Sequence, residues 1–168
     1  MFAWQFMKML MTADMSGLTR FVSMQNYYTL LYREEEREML PLCRAEGIGV
    51  IPFSPLARGF VAGNRRKEDY GETVRAQTDE FSRRQYYSAQ DFAIVDRIME
   101  VAGKRGVNNA QIALAWVLQQ PGITAPIIGA SKMNHLDDAV AALGIKLDEA
   151  ELKLLAEHYR PRPIMAHT

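Results

Sequence analysis

GVIPFSPLARG (residues 49–59) decides how the rest of the chain is read. Val50, Ile51 and Phe53 form a short apolar run with Pro52 inside it, Ser54-Pro55 stop the run, and Arg58-Gly59 come after. A brief apolar run bounded by turn residues reads as a buried strand. Its exit is more elaborate than a plain connector needs, because Ser, Pro and Gly each constrain a turn in a different way. This strand end is therefore read as one that places a loop.

Working outward, FVSMQN (21–26) reads as a second strand with Gln25-Asn26 at its exit. APIIGA (125–130) reads as a third, apolar throughout as buried parallel strands are. Helical patterns lie between them. Ala3, Phe6, Met7, Leu10 and Met11 recur at helical spacing from residue 1 or 2, and Gly17 ends that helix. REEEREMLPLCRAEG (33–47) reads as a helix with acids in its first turn and Gly47 as its stop. Pro41 must kink it or mark a restart in its first turn. DFAIVDRIMEVAGKRG presents Phe92, Val95, Ile98, Met99 and Ala102 on one face. VNNAQIALAWVLQQPG is capped by Asn108 or Asn109. SKMNHLDDAVAALG opens with Ser131 as N-cap, and LDEAELKLLAEHY carries Asp148 and Glu151 in capping-box spacing. Residues 57–90 are polar, charged and irregular, and a loop of that length in a compact domain is usually functional or mobile. The tail RPRPIMAHT (160–168) has no fold signal.

This alternation calls for one α/β domain with a parallel sheet under helices. Three strands cannot close a barrel, so two open edges and unburied apolar surface are expected.

Lys+Arg and Asp+Glu are both 20 in a chain that is 48% hydrophobic, which excludes broad attraction to nucleic acid or an anionic membrane surface. The N-terminal apolar run is interrupted by Gln5 and Lys8 and is too short to span a membrane. The single cysteine, Cys43, makes no internal disulfide and fits a reducing, cytoplasmic compartment; its helical apolar setting makes it a buried thiol. His135, His158 and His167 share no metal-ligand spacing, and GxSxG, GxxxxGK[ST] and GxGxxG are absent. Gly129-Ala130-Ser131-Lys132 opens a helix after the third strand. Glycine permits close backbone approach, helix N-terminal amides bind anions, and Lys132 adds charge. A plain strand–helix turn is the alternative reading there, as a turn is for Gln25-Asn26 and a core aromatic for Phe53. The tyrosine pairs 27–28 and 86–87 are acids in principle, but such pairs more often pack.

FVSMQNYYTLLYREEEREMLPLC, GIGVIPFSPLARG, AQIALAWVLQQPG and APIIGASKMNHLDDAVAAL, in that order, resemble the C-terminal half of aldo-keto reductases, in particular a bacterial branch similar to potassium-channel β-subunits. The resemblance implies a partial (β/α)8 TIM barrel, with strands six to eight at 21–26, 49–54 and 125–130 and residues 1–16 as the fifth helix. It implies NADP as cofactor. Gln25 would contact the nicotinamide carboxamide and Phe53 would stack on the ring. Ser54, Pro55, Leu56, Ala57 and Arg58 would line the pyrophosphate, with Asn64 or Arg65 in the covering loop. Gly129, Ser131 and Lys132 would hold the 2′-phosphate, and His135 and Asp138 would meet the ribose and adenine. Ala139 stands where the family usually has asparagine. The family's catalytic Asp, Tyr, Lys and His lie on the first four strands and have no counterpart here, so no catalytic residue is expected. Met1 falls at an internal position of the family, which implies a truncated or internally started product, inactive alone. A noncatalytic NADP-binding module, completed by a second copy or by a complementing half-barrel, is the alternative. Aldehydes or ketones would be substrates of the parent enzyme.

Overall fold

In the computed structural model, which describes residues 1–63 and 79–164, the stretch 49–53 is the middle of three parallel segments. β1 (Ser23–Met24) pairs with β2 (Gly49–Val50) in the register Ser23–Gly49 and Met24–Val50. The pairing runs past both strands. The N–H groups of Gly49, Ile51 and Phe53 donate to the carbonyls of Val22, Met24 and Asn26 at 3.0, 2.9 and 2.8 Å. On the other side the carbonyls of Val50 and Pro52 accept from Thr124 and Ile127, both at 2.8 Å. Pro52 is tolerated because residues 49, 51 and 53 donate toward β1, so its missing N–H falls on the third-segment side.

The third segment joins earlier than expected, at Ile123, and meets the sheet again at Ile127. Thr124 and Ala125 both direct their N–H at the Val50 carbonyl, at 2.8 and 3.4 Å, which is a bulge. Nor is this segment buried throughout, since Thr124, Ala125 and Ile127 are exposed. Among the described residues it pairs on one side only, with residues 50–53.

α1 (Ala3–Met15) buries Phe6, Leu10 and Ala13. The expected helix at 33–47 is two elements, a 3₁₀ turn Glu34–Glu36 and then α2 (Met39–Ala45). Pro41 occupies the third helical position, where an N–H has no intrahelical partner anyway, so the restart reading holds. Gly47 takes a left-handed φ of 67°, and Ile48 N–H reaches back to the Cys43 carbonyl at 2.8 Å.

Residues 57–90 are not irregular throughout. A 3₁₀ helix spans Ala57–Ala62, α3 spans Glu80–Gln85, and α4 (Ala89–Arg105) starts inside the range. α4 buries Ile94, Val95, Ile98, Val101 and Ala102, while Met99, expected inside, is exposed. The buried face also includes Asp91, a fully buried carboxylate that a hydrophobic pattern does not register. α5 (Asn109–Leu118) is capped by Asn108, whose side chain accepts from Gln111 N–H at 2.9 Å, and it is buried from Ile112 to Val117. α6 (Met133–Ala142) comes after the third segment, and α7 (Glu149–Ala156) carries the expected Asp148–Glu151 capping box.

Residues 159–162 are tied down, contrary to the featureless sequence that begins there. Tyr159 hydroxyl donates to Glu34 Oε1 at 2.6 Å and accepts from Arg33 N–H at 2.9 Å. Arg162 N–H reaches the same Glu34 oxygen at 2.8 Å, and its guanidinium meets Asp91 at 2.6 Å. Arg33 lies over the rings of Trp116 and Tyr159, 5.1 and 5.0 Å from their centres. Residues 165–168 lie outside the described range. Removing one partner of a buried ion pair strands the other charge. Arg162→Ala is therefore expected to cost about 3 kcal/mol of stability, read as a lower urea midpoint; an unchanged midpoint contradicts the strap's role.

Candidate functional site

Parallel pairing sends all three strand exits to the same edge of the sheet. The bridges Tyr27–Phe53 and Phe53–Ile127 run across that edge. In this register Gln25 and Tyr27 share a face with Ile51 and Phe53, while Asn26, Val50 and Pro52 are buried beneath the other face. Gln25 is exposed. Phe53 is 41% exposed, so the core-aromatic reading fails. Its ring centre is 5.4 Å from that of Tyr27, which stacks on Tyr32 at 4.9 Å.

The turn after Phe53 is unusual in its backbone. Ser54, Ala57 and Arg58 take left-handed φ values of 53°, 47° and 56°, and Gly59 takes 86°. Only glycine adopts this region freely, and each non-glycine residue costs roughly 1–3 kcal/mol there. Such strain persists where surrounding contacts over-determine it. Ala57 N–H to Ser54 carbonyl (2.9 Å) and Gly59 N–H to Leu56 carbonyl (2.8 Å) tighten the turn, and Pro55 and Ala57 are buried under it. The Arg58 side chain, expected along a pyrophosphate, is turned instead to Asp79, with Nε 2.5 Å from Oδ2. Asn64 and Arg65 lie outside the described residues.

At the third exit Gly129, Ser131 and Lys132 are exposed, and among the described residues Lys132 makes no ion pair. A Cβ at Gly129 meets nothing within 4 Å, and its φ is not left-handed. Neither local packing nor backbone geometry demands a glycine there. Ser131 does not cap α6. Lys132 is the N-cap residue and makes no side-chain cap bond, while Ser131 Oγ is 3.5 Å from His135 Nδ1. Asp138 is tied to α5, accepting from Gln111 Nε2 at 3.2 Å. This edge thus gathers an exposed aromatic, a bent loop, an uncrowded glycine and a lysine.

Other candidates recede. Tyr28 is buried and donates to Glu36 at 2.6 Å; burial first, then Glu36, pushes its pKa far above the tyrosine range. Tyr86 is also raised, chiefly by burial. Among the described residues no group of three His, Cys, Asp or Glu is placed to hold a metal ion, and no helix is long and apolar enough to cross a membrane. Asp79, which grips the central loop, stands beside Glu80 in a charged, polar stretch that reads as solvated surface.

Cys43 is buried, and burial, with Glu35 adding to it, pushes its thiol up to about 11. The neutral thiol is the form the fold favours, so its stabilisation is present below the unfolded pKa and fades as pH rises toward the folded value. At about pH 8, Cys43 is expected to resist a thiol-specific disulfide reagent until denaturant is added. Rapid native labelling is the opposing result.

The sequence profile described as "Aldo/keto reductase family" matches residues 2–160. A Schizosaccharomyces pombe protein that bears the name putative aryl-alcohol dehydrogenase is 45% identical over 96% of the chain and 48% of its own length. An aldo-keto reductase of Fusarium vanettenii is 43% identical over 100% of the chain and 45% of its own length. The versiconal hemiacetal acetate reductase of Aspergillus parasiticus is 41% identical over 98% of the chain and 48% of its own length. All three are fungal proteins, and the chain spans about half the length of each.

Proposed function

This chain belongs to the aldo/keto reductase family of oxidoreductases, and on that premise we propose that it is the part of a (β/α)8 barrel carrying strands six to eight and most of the NADP-binding loops. The observation that carries the reading is the convergence of three strand exits on one edge, with Phe53 exposed beside a left-handed turn. In α/β barrels ligands sit at the C-terminal ends of the strands. Phe53 would offer a flat apolar face to a nicotinamide ring and Gln25 an amide to its carboxamide. Ser54 to Ala57 would lie along the pyrophosphate, and Gly129, Ser131 and Lys132 would receive a 2′-phosphate. The open space where Gly129 lacks a Cβ suits close approach of such a group. When bound, the dinucleotide supplies hydride for a carbonyl carbon.

In this reading the chain's own residues bind and orient, and the family's catalytic positions have no counterpart among them. Tyr28, whose phenol is buried and bonded to Glu36, is unsuited to protonating a carbonyl oxygen. The isolated chain is therefore read as inactive, with a lone thiol that fits the cytoplasm.

A second reading, an assembly module, is favoured by the apolar faces beside both sheet edges. Trp4 and Val22 are 62% and 79% exposed, and a groove of about 610 Å³ lies between α1 and the stretch leading into β1. On α6 and its C-cap residue, Met133, Leu136, Val140 and Leu143 form an outward stripe, with Met133 71% exposed. Patches of this kind mark contact surfaces. A complementing half-barrel, or a second copy, would cover both edges.

Fluorescence titration with NADPH and NADH tests the main reading. NADPH is expected to bind more tightly, and Lys132→Ala to lose about tenfold of that preference. Gly129→Ala is expected to weaken NADPH binding while leaving the melting temperature unchanged, because its methyl group has room in the fold. Equal affinity for both dinucleotides, or none for either, contradicts the proposal. NADPH-dependent turnover of a simple aldehyde by the pure chain would overturn the inactive reading.

A further inference from the structure

Arg58 and Asp79 are separated in sequence, and in the fold their contact closes on the most strained piece of backbone described. Asp79 is buried, and its two carboxylate oxygens do different work. Oδ2 takes Arg58 Nε at 2.5 Å, and Oδ1 accepts from Ser82 N–H at 3.0 Å as the N-cap of α3. Arg58 is the middle of three consecutive left-handed residues, Ala57, Arg58 and Gly59. An L-residue there tends to relax toward a right-handed or extended conformation, since the left-handed region crowds its Cβ. Relaxation would swing the guanidinium away and leave a buried carboxylate without that partner, which is strongly unfavourable. The pair therefore opposes the relaxation that the local backbone favours.

We infer that Asp79 is a positioning residue for the cofactor loop: by holding the Arg58 side chain it keeps Ser54 to Ala57 in the bent conformation that presents their backbone to a dinucleotide. This rests on the reading of residues 54–57 as that loop. It also gives Arg58 a role different from direct phosphate contact. Its Nε is engaged by Asp79, and the backbone of the turn with the hydroxyl of Ser54 is the surface proposed for the anion. Neither residue touches the reacting atoms in this scheme.

Asp79→Asn separates the two duties of the carboxylate, because asparagine caps a helix as well as aspartate but carries no charge for Arg58. Two measurements on the full chain read the result. Trypsin cleaves after an arginine only when the side chain and its flanking backbone extend into the protease, so the Arg58–Gly59 bond is expected to resist it in the unmodified protein. In Asp79→Asn that bond is expected to be cut about tenfold faster, and Asp79→Glu to restore much of the protection. In titration, Asp79→Asn is expected to weaken NADPH binding about tenfold, with a melting temperature close to that of the unmodified protein. Unchanged cleavage at Arg58 in Asp79→Asn overturns the lock whatever the cofactor does. Faster cleavage with unchanged NADPH affinity overturns the positioning role. An unmodified chain that binds no dinucleotide removes the cofactor reading and the positioning role with it, while the cleavage rates still decide whether the lock exists.

Discussion

The hydrogen-bond register of residues 49–53 is the constraint on which the rest of the structure depends. Gly49, Ile51 and Phe53 donate to one neighbour, and the carbonyls of Val50 and Pro52 accept from the other. A slip of one residue would exchange every side chain between the two faces. Phe53 would then turn under the helices. Pro52 would face β1, where its missing N–H would remove a bond from the better-formed ladder. The proline thus helps to select the register, and the register selects which aromatic reaches the open face.

The backbone just beyond Phe53 is strained, and the rest of the described fold keeps it in place. Ser54, Ala57 and Arg58 hold conformations that L-residues avoid. Burial of Pro55, Ala57, Phe60 and Val61 anchors the turn from below. Phe60 packs against Tyr86, Tyr87 and Phe92, with ring centres 5.4, 5.0 and 5.4 Å away, so the 3₁₀ helix after the turn is fastened to α4. α4 is fastened in turn by the buried pair of Asp91 with Arg162. A chain of contacts therefore runs from the C-terminal strap to the loop beside Phe53.

Much of this was legible in the sequence, and the illegible parts share a cause. The α/β class comes from apolar runs alternating with helical patterns, and the capping at Asn108 and Asp148 is local chemistry. Gln25, Phe53, Ser54 and Gly129 all lie at or just past the ends of the paired segments, which the apolar runs and the turn residues after them marked out. Features decided by distant partners left no such trace. The bulge at Thr124-Ala125 is made against the Val50 carbonyl, the buried Asp91 of α4 is paired with Arg162, and Arg58 is paired with Asp79. The Ser131 cap failed for a different reason. α6 starts one residue later than its sequence suggested, and the hydroxyl faces His135 instead. Where an expectation rested on neighbours in sequence it held more often than where it needed a neighbour in space.

The central claim is that three strand exits form one dinucleotide site. The most direct measurement is a two-dimensional amide NMR spectrum of the labelled chain, recorded as NADPH is added. Amide signals from Gln25, from Phe53 to Ala57, and from Gly129 to His135 are predicted to shift together along one binding curve. Shifts confined to the α1 groove, or none at saturating NADPH, would contradict it.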